Sequence, residues 1–278
     1  MLSLFHKTTF DCSRLITQAY STSFTLGIKA LDSKLHEAIY GIYAFVRYAD
    51  EIVDTFHDFD KATLLTEFKA DTYTAIERGI STNPVIHSYQ MVVNKYHIEN
   101  ELTEAFFKSM EMDLHKSDYS SLSYKDYIYG SAEVVGLMCL RVFCEGDKAE
   151  YEELKEPARR LGSAFQKVNF LRDMRNDFQN LGRVYFPNVD FTNFEVSAKK
   201  AIEADIEADF EAAFKGILAL PKSARFGVYL AYRYYKALFL KIKNVAPEVI
   251  KQERLRIPNP TKAVILVKSA IRNYANVM

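Results

Sequence analysis

Two aspartates four residues apart close the segment Tyr43-Ala-Phe-Val-Arg-Tyr-Ala-Asp-Glu-Ile-Val-Asp54. The apolar residues of positions 34–56 recur at helical spacing, and at about 100° per residue Asp50 falls on the same side of the helix as they do. Asp54 lies roughly 40° further round the helix, and Arg47 lies beside it. Two carboxylates and a guanidinium are therefore predicted on, or next to, the side of the helix that should be buried.

These carboxylates need a partner because a buried, unpaired carboxylate costs several kcal/mol. One interpretation is a buried salt-bridge network in which Arg47 neutralises Asp50 or Asp54. The other is a site for a hard cation, since two carboxylates one helical turn apart can share Mg²⁺, which keeps several waters and takes its other ligands from phosphates. Taken alone, this helix favours the salt-bridge network.

A second helix, predicted within positions 159–178, repeats the arrangement. Its polar residues form one stripe, roughly 80° wide and bracketed by apolar residues, that consists of Gln166, Asn169, Asp173 and Asp177. Arg172 lies toward the apolar face. Four acidic groups that converge inside one bundle would repel strongly unless cations lie between them. Together, the two helices favour two or three Mg²⁺ ions that bridge a substrate diphosphate, with Mn²⁺ as an alternative ion.

The rest of the chain predicts an all-α fold, because glycine and proline number only 10 and 7 in 278 residues and few stretches alternate like strands. We predict one domain over residues 1–278, with Pro157 starting a new helix and a solvated acidic face at Glu203, Glu207 and Glu211. Breakers separate about ten predicted helices, which span residues 14–30, 34–56, 61–80, 84–96, 101–116, 124–145, 150–181, 196–220, 224–245 and 261–277.

Composition excludes several classes of protein. The 36 basic and 36 acidic residues give a net charge of zero, whereas nucleic-acid binders usually carry a basic excess, so we expect no nucleic-acid partner. Three cysteines without a C-x-x-C pair indicate reduced thiols and a cytoplasmic protein. We expect no signal peptide, since a basic start followed by a long apolar run is missing, and no membrane-spanning helix, since no run of about 18 uncharged apolar residues occurs.

Other cofactor sites fit the sequence less well than magnesium. A di-iron bundle needs Glu-x-x-His on two helices, and the chain has none. The six histidines are scattered, which opposes a zinc site. No glycine-rich nucleotide loop is present.

An ordered set of motifs resembles the squalene/phytoene synthase family, and most closely its bacterial phytoene synthases. One D-x-x-x-D is a weak signal, but the set runs over nearly the whole chain and keeps the family's order. Besides residues 43–54, it comprises Ser21-Thr-Ser-Phe24, Tyr127-Ile-Tyr-Gly-Ser-Ala-Glu-Val-Val-Gly136, Leu161-Gly-Ser-Ala-Phe-Gln166 continuing to Asp177, and Gly182-Arg-Val-Tyr-Phe-Pro187. The chain departs from the family at Tyr20, where some relatives have histidine, and at Ser131 and Glu133, often valine and glycine.

The resemblance implies an isoprenoid synthase fold with a central cavity. It implies that four aspartates hold Mg²⁺ against diphosphate, namely Asp50, Asp54, Asp173 and Asp177, and that Arg47 and Arg172 contact the diphosphates. The residues expected to line the substrate site are Ser21, Ser23, Phe24, Tyr127, Gln166, Asn169 and Tyr235, with Arg256 as a further diphosphate ligand.

The reaction that the resemblance implies is the head-to-head condensation of two geranylgeranyl diphosphates to phytoene, through a cyclopropyl (prephytoene) diphosphate and without NADPH. A squalene or dehydrosqualene synthase using two farnesyl diphosphates is the alternative within the family. A non-catalytic helical lipid-binding protein is the alternative from another class. The oily product is compatible with peripheral membrane contact, and no oligomeric state follows from the sequence.

Overall fold

Thirteen α-helices form almost all of the protein in the computed structural model, which describes residues 1–115, 120–187 and 189–275. The predicted all-α class is confirmed. The helices are α1 (Leu2–Tyr20), α2 (Thr22–Lys29), α3 (Ser33–Asp54), α4 (Lys61–Arg78), α5 (Pro84–Tyr96), α6 (Asn100–His115), α7 (Ser121–Ile128), α8 (Val134–Phe143), α9 (Lys148–Leu181), α10 (Val196–Ala219), α11 (Lys222–Lys243), α12 (Pro247–Gln252) and α13 (Asn259–Tyr274), with a π-helical turn (Tyr129–Glu133) before α8. None of the helices described here is both long and apolar enough to cross a bilayer.

The helix boundaries differ from the prediction in several places. Helix α1 begins at Leu2, well before the predicted start at residue 14, and the predicted helix 124–145 consists of α7, the π-helical turn and α8. The predicted helix 14–30 is two helices, because Ser21 adopts an extended backbone and its side chain accepts a hydrogen bond from the Phe24 N–H at 3.2 Å, which caps α2. The prediction that Pro157 starts a new helix is wrong, since α9 runs through it. The short helix α12 was not predicted. The predicted ends at residues 116 and 277 lie outside the described residues.

The core that holds α3 consists of stacked aromatic rings. Phe45 lies face to face with Tyr89 of α5, with ring centroids 3.7 Å apart, and Phe106 and Phe107 of α6 pack around it. All four side chains are fully buried, and each contributes about 1.5–3 kcal/mol by leaving water. Since α3 is packed on α1, α5, α6 and α8, its aspartates have a fixed direction.

Helix α10 crosses α9 closely where two small surfaces meet. A Cβ atom on Gly216 would lie 2.2 Å from the Cβ of Pro157, so only glycine allows this approach. The proline therefore sits under α10, inside a continuous helix, and its ring packs where a longer side chain would separate the two helices. This contact closes one wall of the protein's interior.

The predicted solvated acidic face of α10 is wrong at Glu203. That side chain is buried and pairs with Lys199, which is also buried and lies one turn earlier. Asp209 on the same helix is buried as well, and it lies 2.7 Å from the Lys167 ammonium of α9. These carboxylates can be buried because lysines accompany them, and the second pair ties α10 to α9.

Candidate active site

A cavity of about 460 Å³ lies between the helices and is polar at one end only. The polar end is formed by Arg47, Asp50, Gln166, Asn169, Arg172 and Arg254. The other end is apolar and is closed by Leu31, Phe143, Leu154 and Leu220. The lining of α9 runs from Leu154 to Arg172, which is about 27 Å at the α-helical rise of 1.5 Å per residue. The cavity is therefore long, with charged groups gathered at its mouth.

The first aspartate pair lies at the polar end. Asp50 lines the cavity, and Asp54 follows one turn later at the end of α3. The Arg47 Nη1 atom is 3.9 Å from the Asp50 carboxylate, while its Nη2 donates to Glu51. The Nε atom of Arg47 is buried and has no hydrogen-bond partner among the described residues. Since buried donors without acceptors are rare, this guanidinium is suited to bind an anion.

The second aspartate pair lies on α9. Asp173 accepts hydrogen bonds from the Arg172 Nε at 3.0 and 3.1 Å, and the Arg254 Nε lies 2.6 Å from its Oδ1. Asp177 follows one turn later, and its carboxylate forms no ion pair with any residue that the structure describes. The two arginines thus neutralise one member of the pair and leave the other available.

Arg183 connects the two pairs. Its Nη1 donates to the Asp54 carboxylate at 2.7 Å and to the Tyr185 hydroxyl at 3.1 Å, and its Nη2 donates to the backbone carbonyl of Asp113 at 3.0 Å. The chain reaches this position because Gly182 adopts a left-handed conformation (φ 64°) and the Arg183 N–H caps α9 on the Asp177 carbonyl. The ends of α3 and α9 therefore meet, and each carries an aspartate pair.

Burial and mutual repulsion perturb two of the four aspartates. Burial first, and then the negative charge of Asp54, raise the pKa of Asp50 to about 8. Burial, then Asp173 and Asp54, raise the pKa of Asp177 to about 8. The exposed third of the Asp50 side chain faces the cavity. Both carboxyls would ionise more readily if cations lay beside them.

The residues fit a magnesium ion that is shared with a phosphate. In the described parts of the chain, no group of three or more His, Cys, Asp or Glu side chains could hold a metal by itself. The donors at the mouth are carboxylate oxygens, which suit Mg²⁺, and Mg²⁺ binds through one or two carboxylates plus waters and substrate phosphates. The unpaired Arg47 Nε supports an anion at the same place.

The other predicted site residues fall into two groups. Six line the cavity, namely Ser21, Phe24, Tyr127, Gln166, Asn169 and Tyr235, whereas Ser23 and Arg256 do not. The Tyr235 hydroxyl donates to the Asn169 side chain at 3.3 Å, and its ring stacks on Phe165 at 3.9 Å. The Tyr127 hydroxyl donates to the Asp113 carboxylate at 2.7 Å. Both tyrosines thus combine core packing with a place on the cavity wall.

Sequence reasoning missed three residues that lie around the aspartate pairs. Arg254, rather than the predicted Arg256, reaches Asp173, while Arg256 is exposed. Both arginines lie in a segment without helical periodicity, so no pattern distinguished them. Arg183 belongs to the motif at residues 182–187, which was the available signal, whereas Asp113 belongs to no motif.

The three departures from the family pattern leave the cavity intact. The Arg47 guanidinium lies over the Tyr20 ring, with its Cζ atom 4.6 Å from the centroid of the ring. Ser131 lies 3.4 Å from the Gln166 amide nitrogen, from which it accepts a hydrogen bond. Glu133 pairs with Arg159 at 2.7 Å, and burial raises the pKa of its carboxyl. It is not among the lining residues, so the cavity wall there carries no free acid.

The sequence profile described as squalene/phytoene synthase matches residues 17–261. The chain belongs to the squalene/phytoene synthase family. It is a prenyltransferase-type enzyme, as the names of its relatives indicate. The 4,4'-diapophytoene synthase of Staphylococcus haemolyticus is 26% identical over 68% of this chain and 66% of that protein. The phytoene synthase of Arthrospira platensis is 24% identical over 95% of this chain and 93% of its own length.

Solved structures show the same fold in this family. A crystal structure of a dehydrosqualene synthase in complex with a ligand superimposes with a TM-score of 0.81, at 19% identity, over 97% of this chain and 98% of that one. The predicted isoprenoid synthase fold is therefore confirmed. A presqualene diphosphate synthase of Rhodopseudomonas palustris, 29% identical over 61% of this chain and 60% of that protein, shows that relatives differ in the product they are named for.

Proposed function

We propose that this enzyme joins two geranylgeranyl diphosphates head to head and forms phytoene through a cyclopropyl (prephytoene) diphosphate, in a Mg²⁺-dependent reaction. The observation that carries the proposal is the cavity itself, which spans about 27 Å along α9. Its polar end holds Asp50 and the arginines that contact Asp173, and the rest of it is apolar. A diphosphate suits the mouth and a prenyl chain suits the interior. The relative named phytoene synthase that aligns over 95% of the chain supports the choice of product.

The mouth is built to bind a leaving diphosphate. Asp50, Asp54, Asp173 and Asp177 would hold Mg²⁺, which supplies positive charge to the departing diphosphate when it is bound. Arg47 and Arg172 would donate charge-assisted hydrogen bonds to phosphate oxygens. Arg254, already at the Asp173 carboxylate, lies where it can do the same.

The reaction then needs only ionisation, bond formation and proton loss. Departure of the first diphosphate leaves an allylic cation, which the 2,3-double bond of the second molecule attacks, and loss of a proton closes the cyclopropane. Departure of the second diphosphate lets the skeleton rearrange to the 1-1′ linkage, and a final proton loss gives phytoene. No hydride enters, so NADPH has no role. Rings of Phe24, Tyr43, Phe165 and Tyr235 surround this space and keep water from the cations.

The longer donor suits the length of the cavity. Its apolar end lies at the far ends of α8 and α10 from the aspartates, and Leu31, Phe143, Leu154 and Leu220 close it. A farnesyl chain, one isoprene unit shorter than geranylgeranyl, would fill less of this length. Farnesyl diphosphate remains the second candidate, because a relative is named diapophytoene synthase.

The test is product analysis with each donor. The enzyme and Mg²⁺ are incubated with geranylgeranyl or farnesyl diphosphate, with and without NADPH, and released pyrophosphate and the hydrocarbon are measured. We expect pyrophosphate release from geranylgeranyl diphosphate and phytoene in equal amounts with and without NADPH. If pyrophosphate is released from farnesyl diphosphate but not from geranylgeranyl diphosphate, the product is a thirty-carbon hydrocarbon and the proposal of phytoene is wrong. No release from either donor would favour the lipid-binding protein.

Two arginines of one segment give a matched pair of variants. We expect Arg254→Gln to lower kcat/KM for the prenyl diphosphate by about tenfold to a hundredfold, since charged hydrogen bonds contribute about 1.5–3 kcal/mol each. We expect Arg256→Gln to leave it unchanged, because that side chain does not line the cavity. Steady-state pyrophosphate release measures both. A larger loss in Arg256→Gln than in Arg254→Gln would restore the assignment made from the sequence.

A further inference from the structure

Helix α13 carries an exposed apolar stripe. Val264, Val267, Ile271 and Tyr274 are spaced by three or four residues, so they share one face, and they are 51%, 57%, 62% and 95% exposed. The opposite face is packed, since Ile265 is buried in a cluster with Leu230 and Tyr234 of α11. The helix is therefore firmly held by its inner face. Nothing in the described parts of the protein covers its outer face.

The charges of α13 have a single sign. The helix contains Lys262, Lys268 and Arg272 and no aspartate or glutamate. Lys262 donates to the Thr22 hydroxyl of α2 at 2.7 Å, so it fastens α13 to the protein. Lys268 is exposed and, at about 100° per residue, borders one edge of the apolar stripe. Arg272 is exposed as well, but it lies about 40° further round the helix, close to the Tyr229 hydroxyl of α11. The outer face thus combines apolar side chains with positive charge.

Helix α13 lies beside the α2 wall of the cavity. The segment that leads into α13 carries Arg254, which contacts Asp173. The inner side of α13 packs, through Leu266, on a cluster that contains Leu26 of α2, and the next residues of α2, Gly27 and Ile28, line the cavity. A surface bound to the outer face would therefore lie beside the α2 wall of the cavity.

We propose that the outer face of α13 binds the surface of an anionic lipid bilayer. The helix would lie in the plane of the membrane interface, with its apolar stripe among the acyl chains nearest the headgroups and with Lys268 at the lipid phosphates. A symmetric contact with a second copy is disfavoured because it would bring the same cationic edges together. The benefit of this contact rests on the proposed function, since donor and product would both be lipids.

Vesicle binding tests the proposal without any substrate. Protein is sedimented with vesicles of phosphatidylcholine, or of phosphatidylcholine mixed with phosphatidylglycerol. We expect wild-type protein to bind the mixed vesicles and the double variant Val267→Asp, Ile271→Asp to bind them at least tenfold more weakly. Leu15→Asp is the matched control, because Leu15 on α1 is 68% exposed, and it should bind like wild type. Lys268→Gln should lower the affinity for mixed vesicles about fivefold and leave the affinity for neutral vesicles unchanged.

Several results would overturn the proposal. The proposal fails if wild-type protein does not bind mixed vesicles, or if the double variant binds them as well as wild type. It also fails if Leu15→Asp, and not the double variant, weakens vesicle binding. Sedimentation of the protein alone adds a further outcome, since a dimer that only the double variant dissociates would assign the face to a second copy. Circular dichroism checks that each variant is folded. Pyrophosphate release in detergent is measured separately, so failure of membrane binding and failure of the proposed reaction are distinguished.

Discussion

Asp50→Asn is expected to abolish pyrophosphate release and, at the same time, to stabilise the protein in the presence of a chelator. The loss of turnover should be at least about a hundredfold to a thousandfold, the range found when one group that stabilises developing charge is removed. The gain in stability has a different origin, since the amide removes a negative charge that burial and Asp54 make unfavourable. A substitution at a purely structural position would rarely lower turnover and raise stability at the same time.

The pH dependence of stability follows from the same carboxyls. Because the pKa of Asp50 is raised from 3.8 to about 8 in the folded protein, the folded chain holds this proton more tightly than the unfolded chain. The protonated Asp50 carboxyl therefore contributes to the free energy of unfolding at low pH, and this contribution is lost progressively as pH rises from 3.8 to about 8. Asp177 acts in the same sense. With a chelator present, the melting temperature of Asp50→Asn should exceed that of wild type by more at pH 9 than at pH 5.

The control for this variant is Asp58→Asn, since Asp58 is exposed in the loop after α3. It should change neither turnover nor the pH dependence of melting. Added Mg²⁺ and pyrophosphate should raise the melting temperature of wild type more than that of Asp50→Asn. Near-normal turnover in Asp50→Asn would contradict the role of this residue, and an equal ligand-induced shift in both proteins would contradict metal binding through its carboxylate.

The aspartate pairs could be predicted from the sequence because they lie on long amphipathic helices. On such helices, spacing alone places Asp50 with the buried side chains and Asp173 in a polar stripe. The two pairs come from segments more than a hundred residues apart, and the resemblance to a family was needed to expect them in one cavity. The fold class was equally accessible, because glycine and proline are scarce and helical periodicity runs through most of the chain.

The residues that sequence reasoning missed act through contacts that no local pattern records. Arg183 follows the end of α9 in a non-helical segment, and its partner Asp54 lies 129 positions earlier. Glu203 was assigned to a solvated face because an i,i+4 pair with Lys199 is visible in the sequence, whereas its burial is not. Pro157 was expected to begin a helix, yet the packing of Gly216 against its ring accompanies a helix that continues. In each case tertiary packing decided what local propensity could not.

Arg183→Met is expected to be the most destabilising single substitution proposed for this enzyme. The guanidinium is buried, lies 2.7 Å from the Asp54 carboxylate and 3.6 Å from that of Asp113, and donates to the backbone of α6. Removing one partner from a buried ionic network costs about 3–5 kcal/mol, because the charges left behind remain desolvated. Denaturant unfolding should therefore show a lower midpoint, and turnover should fall because the two aspartate pairs lose their shared anchor.

A second substitution distinguishes this explanation from a loss of packing. Asp54→Asn removes the carboxylate that Arg183→Met leaves without its ion-pair partner, so the double variant should be more stable than Arg183→Met alone. Arg175→Met is the matched control, because Arg175 lies exposed on α9, where its side chain donates to the Gln179 side chain and to the backbone carbonyl of Gln252. If the double variant unfolds as easily as Arg183→Met, or if Arg175→Met is equally damaging, then charge compensation is not what holds the ends of α3 and α9 together.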